Sequence, residues 1–207
     1  MDGMDYMQYA KYPEGDTLMD LSQDHQLIRW MQENISGTPR IIEANVPEYR
    51  WGNRISIYTG LPGVIGWNWH QRQQRGFAEN INVEERAGEI ARFYANRSVQ
   101  EAEEFIKKYG VRYVIVGQLE RQYYERVKPC FPLGNSDQVM CELRGWPMGM
   151  PDPEVRAADC EPLNPENEQE GLSCPTFGLE KFDQMQAEGY LQSVYNDGAT
   201  TIYEVKQ

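Results

Sequence analysis

Between residues 21 and 35 the apolar positions Leu27, Ile28, Met31 and Ile35 recur at three- and four-residue spacing, which predicts a helix with one buried face. Asp24 is placed to cap it, and Gly37 followed by Pro39 supplies the stop. Two short β-branched runs follow, RIIEA (40–44) and RISIY (54–58), each expected as a strand, with the irregular NVPEYRWGN between them. A helix after Asn82 then places Val83, Ala87, Ile90, Ala91 and Tyr94 on one face. The next helix opens on a capping box of Ser98 and Glu101, carries Ala102, Phe105, Ile106 and Tyr109 inward, and ends at Gly110. RYVIVG (112–117) has the unbroken apolar character of a strand covered on both faces. Near the end, GLEKFDQMQAEG (178–189) reads as a short helix with Leu179, Phe182 and Met185 inward. YLQSVYNDGATTIYEV (190–205) reads as a hairpin turning at Asp197-Gly198, so the last two strands are antiparallel.

This order predicts an α/β fold: a layered, Rossmann-like mixed sheet with helices on both faces and a C-terminal antiparallel hairpin, in one domain spanning residues 1–207. Residues 127–176 break the pattern. They form an irregular insertion without apolar periodicity, hold Cys130, Cys141, Cys160 and Cys174 and eight of the twelve prolines, and set nine acidic side chains against three basic ones. So long a stretch is costly to order without staples, and four cysteines confined to it point to two disulfides. No CxxC pair is present, which disfavours a zinc site, and of the three possible pairings Cys130 with Cys141 and Cys160 with Cys174 keeps both loops local.

Composition narrows the function classes. With 40% hydrophobic residues the chain can fill a core, and no apolar run approaches the roughly 18 residues that a membrane-crossing helix needs. A net charge of -12 repels phosphate backbones and sets nucleic acid aside as a partner. The opening MDGMDYMQYAKYPEGD lacks the basic start and apolar stretch of an export signal, whereas disulfides require an oxidising compartment. The two observations agree if the chain is a piece of a longer membrane protein.

No GxGxxG after a strand, GxxxxGK[ST], GxSxG or HExxH is present, so no cofactor and no metal are expected. The glycines of RISIYTGLPGVIGWNWHQRQQRG, Gly60, Gly63 and Gly66, either offer N–H groups to a phosphate or sugar hydroxyl or make a tight Pro62-bearing loop. Behind them, Trp67 and Trp69 offer flat apolar faces, and His70, Arg72 and Arg75 offer donors for a carbohydrate or phosphate. The same residues also read as a helix start whose tryptophans close the core and whose arginines pair with acidic groups. If RIIEA, RISIY and RYVIVG are parallel neighbours, their C-terminal ends bring Glu43, Asn45, Tyr58, Thr59, Glu120 and Arg121 to one edge, where α/β sheets bind ligands. Such an edge suits a sugar or a lipid-linked phosphate headgroup, and Glu43 or Glu120 could act there as a base.

MDGMDYM (1–7), RISIYTGLPGVIGWNWHQRQQR (54–75) and VIVGQLERQYY (114–124) together resemble the YYY membrane protein family, large polytopic proteins similar to glycosyltransferases of the C-type membrane fold. The resemblance covers residues 1 to about 125 and resumes from GLEKFDQM to IYEV, leaving out the cysteine-bearing insertion. It implies a C-terminal soluble domain on the outer face of the membrane, following the last transmembrane helix, with the catalytic carboxylates in the transmembrane part and none in this chain. Its expected partners are that transmembrane part and a lipid-linked sugar donor or glycan acceptor. Carried onto matching positions, the binding residues are Arg54, Tyr58, Thr59, Gly60, Trp67, His70, Arg72, Arg75, Glu120 and Arg121, to which the sheet-edge argument adds Glu43. A free-standing carbohydrate-binding or protein-interaction module is the alternative.

Overall fold

In the computed structural model the chain opens on a hairpin, β1 (Lys11–Glu14) against β2 (Thr17–Asp20), and passes through α1 (Leu21–Asn34) into β3 (Arg40–Ile42). Helices α2 (Arg54–Thr59), α3 (Asn68–Arg75), α4 (Asn80–Ala95) and α5 (Val99–Tyr109) lead to β4 (Val111–Val116) and α6 (Gln118–Tyr124). Strands β5 (Arg126–Pro132), β6 (Val139–Leu143), β7 (Trp146–Gly149), β8 (Glu161–Pro162) and β9 (Leu172–Pro175) make up the insertion, and α7 (Lys181–Ala187), β10 (Leu191–Asn196) and β11 (Thr201–Val205) follow. The structure describes residues 3–206 except 16, 48, 76–79, 135, 144–145, 150–154 and 168–169, together with the side chains of all but 75, 80–81, 142–143 and 146–149 among these.

The central sheet has the order β10-β11-β4-β3, with β3 and β4 parallel and the other pairs antiparallel. Alternation along its strands explains why both faces are covered. Ile41, Ile115 and Ile202 point to the side where Leu27, Ile28 and Met31 of α1 pack with Ile55 of α2. Ile42, Val114, Val116 and Tyr203 point to the other, against Ala87, Ile90 and Tyr94 of α4, Phe105 and Ile106 of α5, and Phe182 of α7. The Tyr94 hydroxyl lies 3.1 Å from the Ile42 carbonyl and 2.9 Å from that of Ile115, tying α4 across the parallel pair. The hairpin turns where expected: Asp197 accepts the Ala199 and Thr200 N–H groups at 2.9 and 2.7 Å, and Asn196 accepts that of Gly198.

RISIY is not a strand. It is α2, framed by Asn53 and Gly60, both left-handed (φ 58° and 74°), and its first free N–H groups, Ile55 and Ser56, donate to the Glu43 carboxylate at 3.1 and 3.0 Å. β-propensity is weak in such a short run, and a buried anion aimed at exposed helix donors overrides it. The place beside β3 goes to the glycine loop instead: Gly63 bridges Ile41 in parallel and the Pro62 carbonyl accepts the Ile41 N–H. Asp24 does not cap α1 either. Asp20 does so, accepting the Ser22 N–H at 3.0 Å, while Asp24 lies one turn in and is buried. Ser98 caps α5 as expected, accepting the Glu101 N–H at 3.2 Å.

The insertion is more regular than its sequence pattern. Its strands form a sheet of order β7-β6-β5-β9-β8, all antiparallel, stapled by Cys130–Cys141 and Cys160–Cys174, the pairing that keeps both loops local. The sulfurs of Cys130, Cys141 and Cys174 lie within 4.8 Å of one another, all engaged in disulfide bonds. Val127, Cys130, Val139, Cys141 and Cys174 belong to the same apolar cluster as Tyr94, Tyr124 and Phe182, so the stapled sheet and the central sheet share a core. Among the described residues, no helix is long and apolar enough to cross a membrane.

Candidate functional site

Glu43, at the carboxyl end of β3, and Glu120, in the first turn of α6, do converge, and what joins them is Arg54 from the start of α2. The guanidinium is 1% exposed and meets three carboxylates: Asp24 at 2.9 Å, Glu120 at 3.1 Å and Glu43 at 3.5 Å. Each acid has further donors. Glu120 accepts the Ala44 and Gly117 N–H groups at 2.8 and 3.0 Å, Asp24 accepts the Trp51 indole N–H at 2.6 Å, and Glu43 accepts the Ser56 hydroxyl besides its two amides. The hub thus locks α1, α2, α6 and the carboxyl ends of β3 and β4 into one unit.

Three buried acids around one cation leave an excess negative charge that the backbone donors absorb unequally. Burial pushes the Glu43 carboxyl up, and the facing Arg54 does not fully offset it. Burial acts on Glu120 in the same sense, but the Arg54 charge and hydrogen bonds, with the two amides, outweigh it and hold the group below the usual carboxylate range. Burial alone would lower Arg54; the charges of Asp24, Glu120 and Glu43 instead hold it well above its ordinary value. Asp24 was legible in one respect: it stands on the apolar stripe of α1, three and four residues before Leu27 and Ile28, where an unpaired acid has no reason to be.

The other residues expected at the site are spread around this hub. The Tyr58 hydroxyl lies 2.7 Å from that of Tyr6, and the Tyr58 ring is 6.1 Å from that of Trp51. The Thr59 hydroxyl donates to the Ile55 carbonyl at 2.6 Å and accepts the Leu61 N–H, and Gly60 supplies the left-handed end of α2. A Cβ on Gly63 would sit 3.0 Å from the Ser56 hydroxyl and 3.2 Å from the Ile65 carbonyl, so close packing accounts for that glycine. Trp67 packs beside Tyr49, exposed His70 lies 2.9 Å from the Gln74 amide, and Arg72 stacks on Trp69 and pairs with Glu84 at 2.7 Å. Arg75 ends α3, and its side chain lies outside the described residues.

Arg121 stands apart, lining a cleft of about 530 Å³ beyond the carboxyl end of β4. The cleft lies between α6, the start of β5, the turn at 175–180 and the β10–β11 hairpin, and is open to solvent. Two residues that the sequence did not single out shape it. Tyr203 donates to Asp183 at 2.9 Å, and burial together with that carboxylate pushes its hydroxyl up to about 12. Phe177 presents its ring at the mouth, 38% exposed, from a left-handed backbone (φ 57°). Its neighbours impose that conformation. Thr176 is buried, its hydroxyl donating to the Tyr124 carbonyl and its N–H to that of Glu125, and Gly178 is pressed against the end of α4, where a Cβ would fall 2.3 Å from the Tyr94 carbonyl oxygen.

No protein-family model matches the chain, and no curated protein matches it. Solved structures do resemble it, among them the following two. One is the C-terminal globular domain of an oligosaccharyltransferase from Archaeoglobus fulgidus, 18% identical over 88% of this chain and 95% of that one, with a TM-score of 0.44. The other is also a C-terminal globular domain of oligosaccharyltransferase from Archaeoglobus fulgidus, 15% identical over 93% and 98%, with a TM-score of 0.37. At these scores the likeness assigns neither a fold family nor an activity.

Proposed function

We propose that this chain is an extracytoplasmic soluble domain of a glycosyltransferase-like polytopic membrane protein, where it helps to bind a lipid-linked sugar donor or a glycan acceptor. The observation that carries the compartment is the pair of disulfides Cys130–Cys141 and Cys160–Cys174, bonds that persist in oxidising surroundings. The membrane parent rests on the joint motifs at 1–7, 54–75 and 114–124, whose Arg54 and Glu120 form the buried hub. In this reading the hub is a positioning device, holding the α2–α3 segment in place, and transfer chemistry belongs to the transmembrane part.

An antibody to this domain, used on fractionated cells of the source, tests the reading. The expected antigen is a large species in the membrane fraction that is digested by protease added to the outer face of intact cells. A soluble antigen of about 24.1 kDa would replace this reading with the free-standing module.

A further inference from the structure

We propose that the cleft beyond β4 is a binding site for a neutral sugar, with Phe177 as its stacking platform. The inference rests on the glycan-binding reading above and moves the contact away from the tryptophan-bearing loop. Four observations lead to it. The cleft, of about 530 Å³, falls within the size of small-ligand sites and opens beyond the carboxyl end of a strand in a parallel pair, where α/β sheets place ligands. The Thr176 hydrogen bonds and the Gly178 contact with α4 that hold Phe177 left-handed also fix where its ring stands in the cleft. The ring is 38% exposed and has the Arg97 guanidinium over one face, 5.4 Å from its centre, so the C–H side of a pyranose would stack on the opposite face.

The polar lining selects among ligands. Arg121, Thr201, Asn196 and the Tyr203–Asp183 pair present donors and acceptors together, the mixture that vicinal hydroxyls require. Arg121 pairs with Glu125 at 2.9 Å, and Arg126 bonds Ser173 and lies 3.7 Å from Glu161, so both arginines of the lining are already engaged, which disfavours a phosphate.

The test titrates methyl glycosides of glucose, galactose, mannose and N-acetylglucosamine, and the matching disaccharides, into the isotope-labelled domain while amide shifts are followed. At least one should bind, with the largest shifts confined to 175–183 and 196–203. Phe177→Gly suits the left-handed position, so its melting temperature should stay equal or rise while affinity drops at least tenfold; Phe177→Tyr should stay within threefold of wild type. The proposal is overturned if no glycoside shifts the spectrum, if the shifts centre elsewhere, or if Phe177→Gly binds as wild type does. A Phe177→Gly protein that unfolds also overturns it, since the ring is then a packing residue. Fractionation of the parent protein is a separate measurement, so loss of the membrane reading and loss of the sugar site can be told apart.

Discussion

Arg54 and Lys181 are two buried cations that the fold treats in opposite ways. Arg54 has three carboxylates around it, so replacing it with methionine removes the one cation and leaves the acids facing each other; the expected cost is about 3–5 kcal/mol in urea denaturation at pH 7. Arg54→Lys should recover little, because the three N–H groups of an ammonium radiate from one nitrogen and cannot reproduce the fork that sets Nε on Asp24 and Nη2 on Glu120. Without Arg54 the Glu120 carboxyl rises, so the gap to wild type should narrow from pH 7 to pH 5 and would contradict the hub if it widened. Lys181 has no such shell. Its ammonium donates to the Gly178 carbonyl at 2.8 Å and approaches that of Tyr94, at the end of α4, and burial pulls its pKa down to about 7. Above pH 7 the folded Lys181 is neutral while the unfolded one still takes up a proton, up to its ordinary 10.5. Wild type should therefore gain stability relative to Lys181→Met between those values, with a slope approaching about 1.4 kcal/mol per pH unit. A pH-independent difference between the two proteins would show that the amine keeps its proton.

At the scale of elements, α4 and the 176–180 turn make the contact with least tolerance. A Cβ on Gly178 would fall 2.3 Å from both the Tyr94 oxygen and the Ala95 carbonyl carbon, which are backbone atoms that cannot step aside. Gly178→Ala should cost about 3 kcal/mol or more by overpacking, whereas Gly189→Ala, at φ 80° with open space around it, should cost about 1–2 kcal/mol from the backbone alone. Thermal melts of the two variants separate the causes, and equal losses would mean that the α4 contact relaxes. Elements set by periodicity were legible in the sequence: α5, β4 and the final hairpin stand where their apolar spacing, cap and turn residues place them, and α1 where its apolar spacing does, although Asp20 and not Asp24 caps it. α2 was not, because six residues carry too little periodicity and their conformation depends on Glu43, twelve residues earlier. The strands of the insertion were hidden for another reason. Their order comes from cross-strand pairing and two disulfides, which leave no alternation in such short, proline-rich segments. Among the site residues, the meeting of Glu43 and Glu120 was legible from the strand ends, but its position in the interior was not, since that depends on Arg54 arriving on a helix. The cleft at Phe177 draws on α6, the base of the insertion and the last hairpin, and no local motif joins three such distant segments.

For the whole molecule, the decisive question is how far the stapled sheet supports the rest. Cys130–Cys141 and Cys160–Cys174 close loops with sequence separations of 11 and 14, each worth about 3 kcal/mol through loss of unfolded-state freedom. Because Cys130, Cys141 and Cys174 pack in the cluster that also holds Tyr94, Tyr124 and Phe182, loosening the insertion should be felt beneath the central sheet as well. Reduction should thus lower the melting temperature of the entire domain by about 10–20 °C in a single transition, with intact mass rising by four hydrogens. Two separate transitions would mean that the insertion melts by itself and the shared core counts for little. An unchanged mass and melting point would mean that the thiols were free from the start, and the assignment to an oxidising compartment would fall with the disulfides.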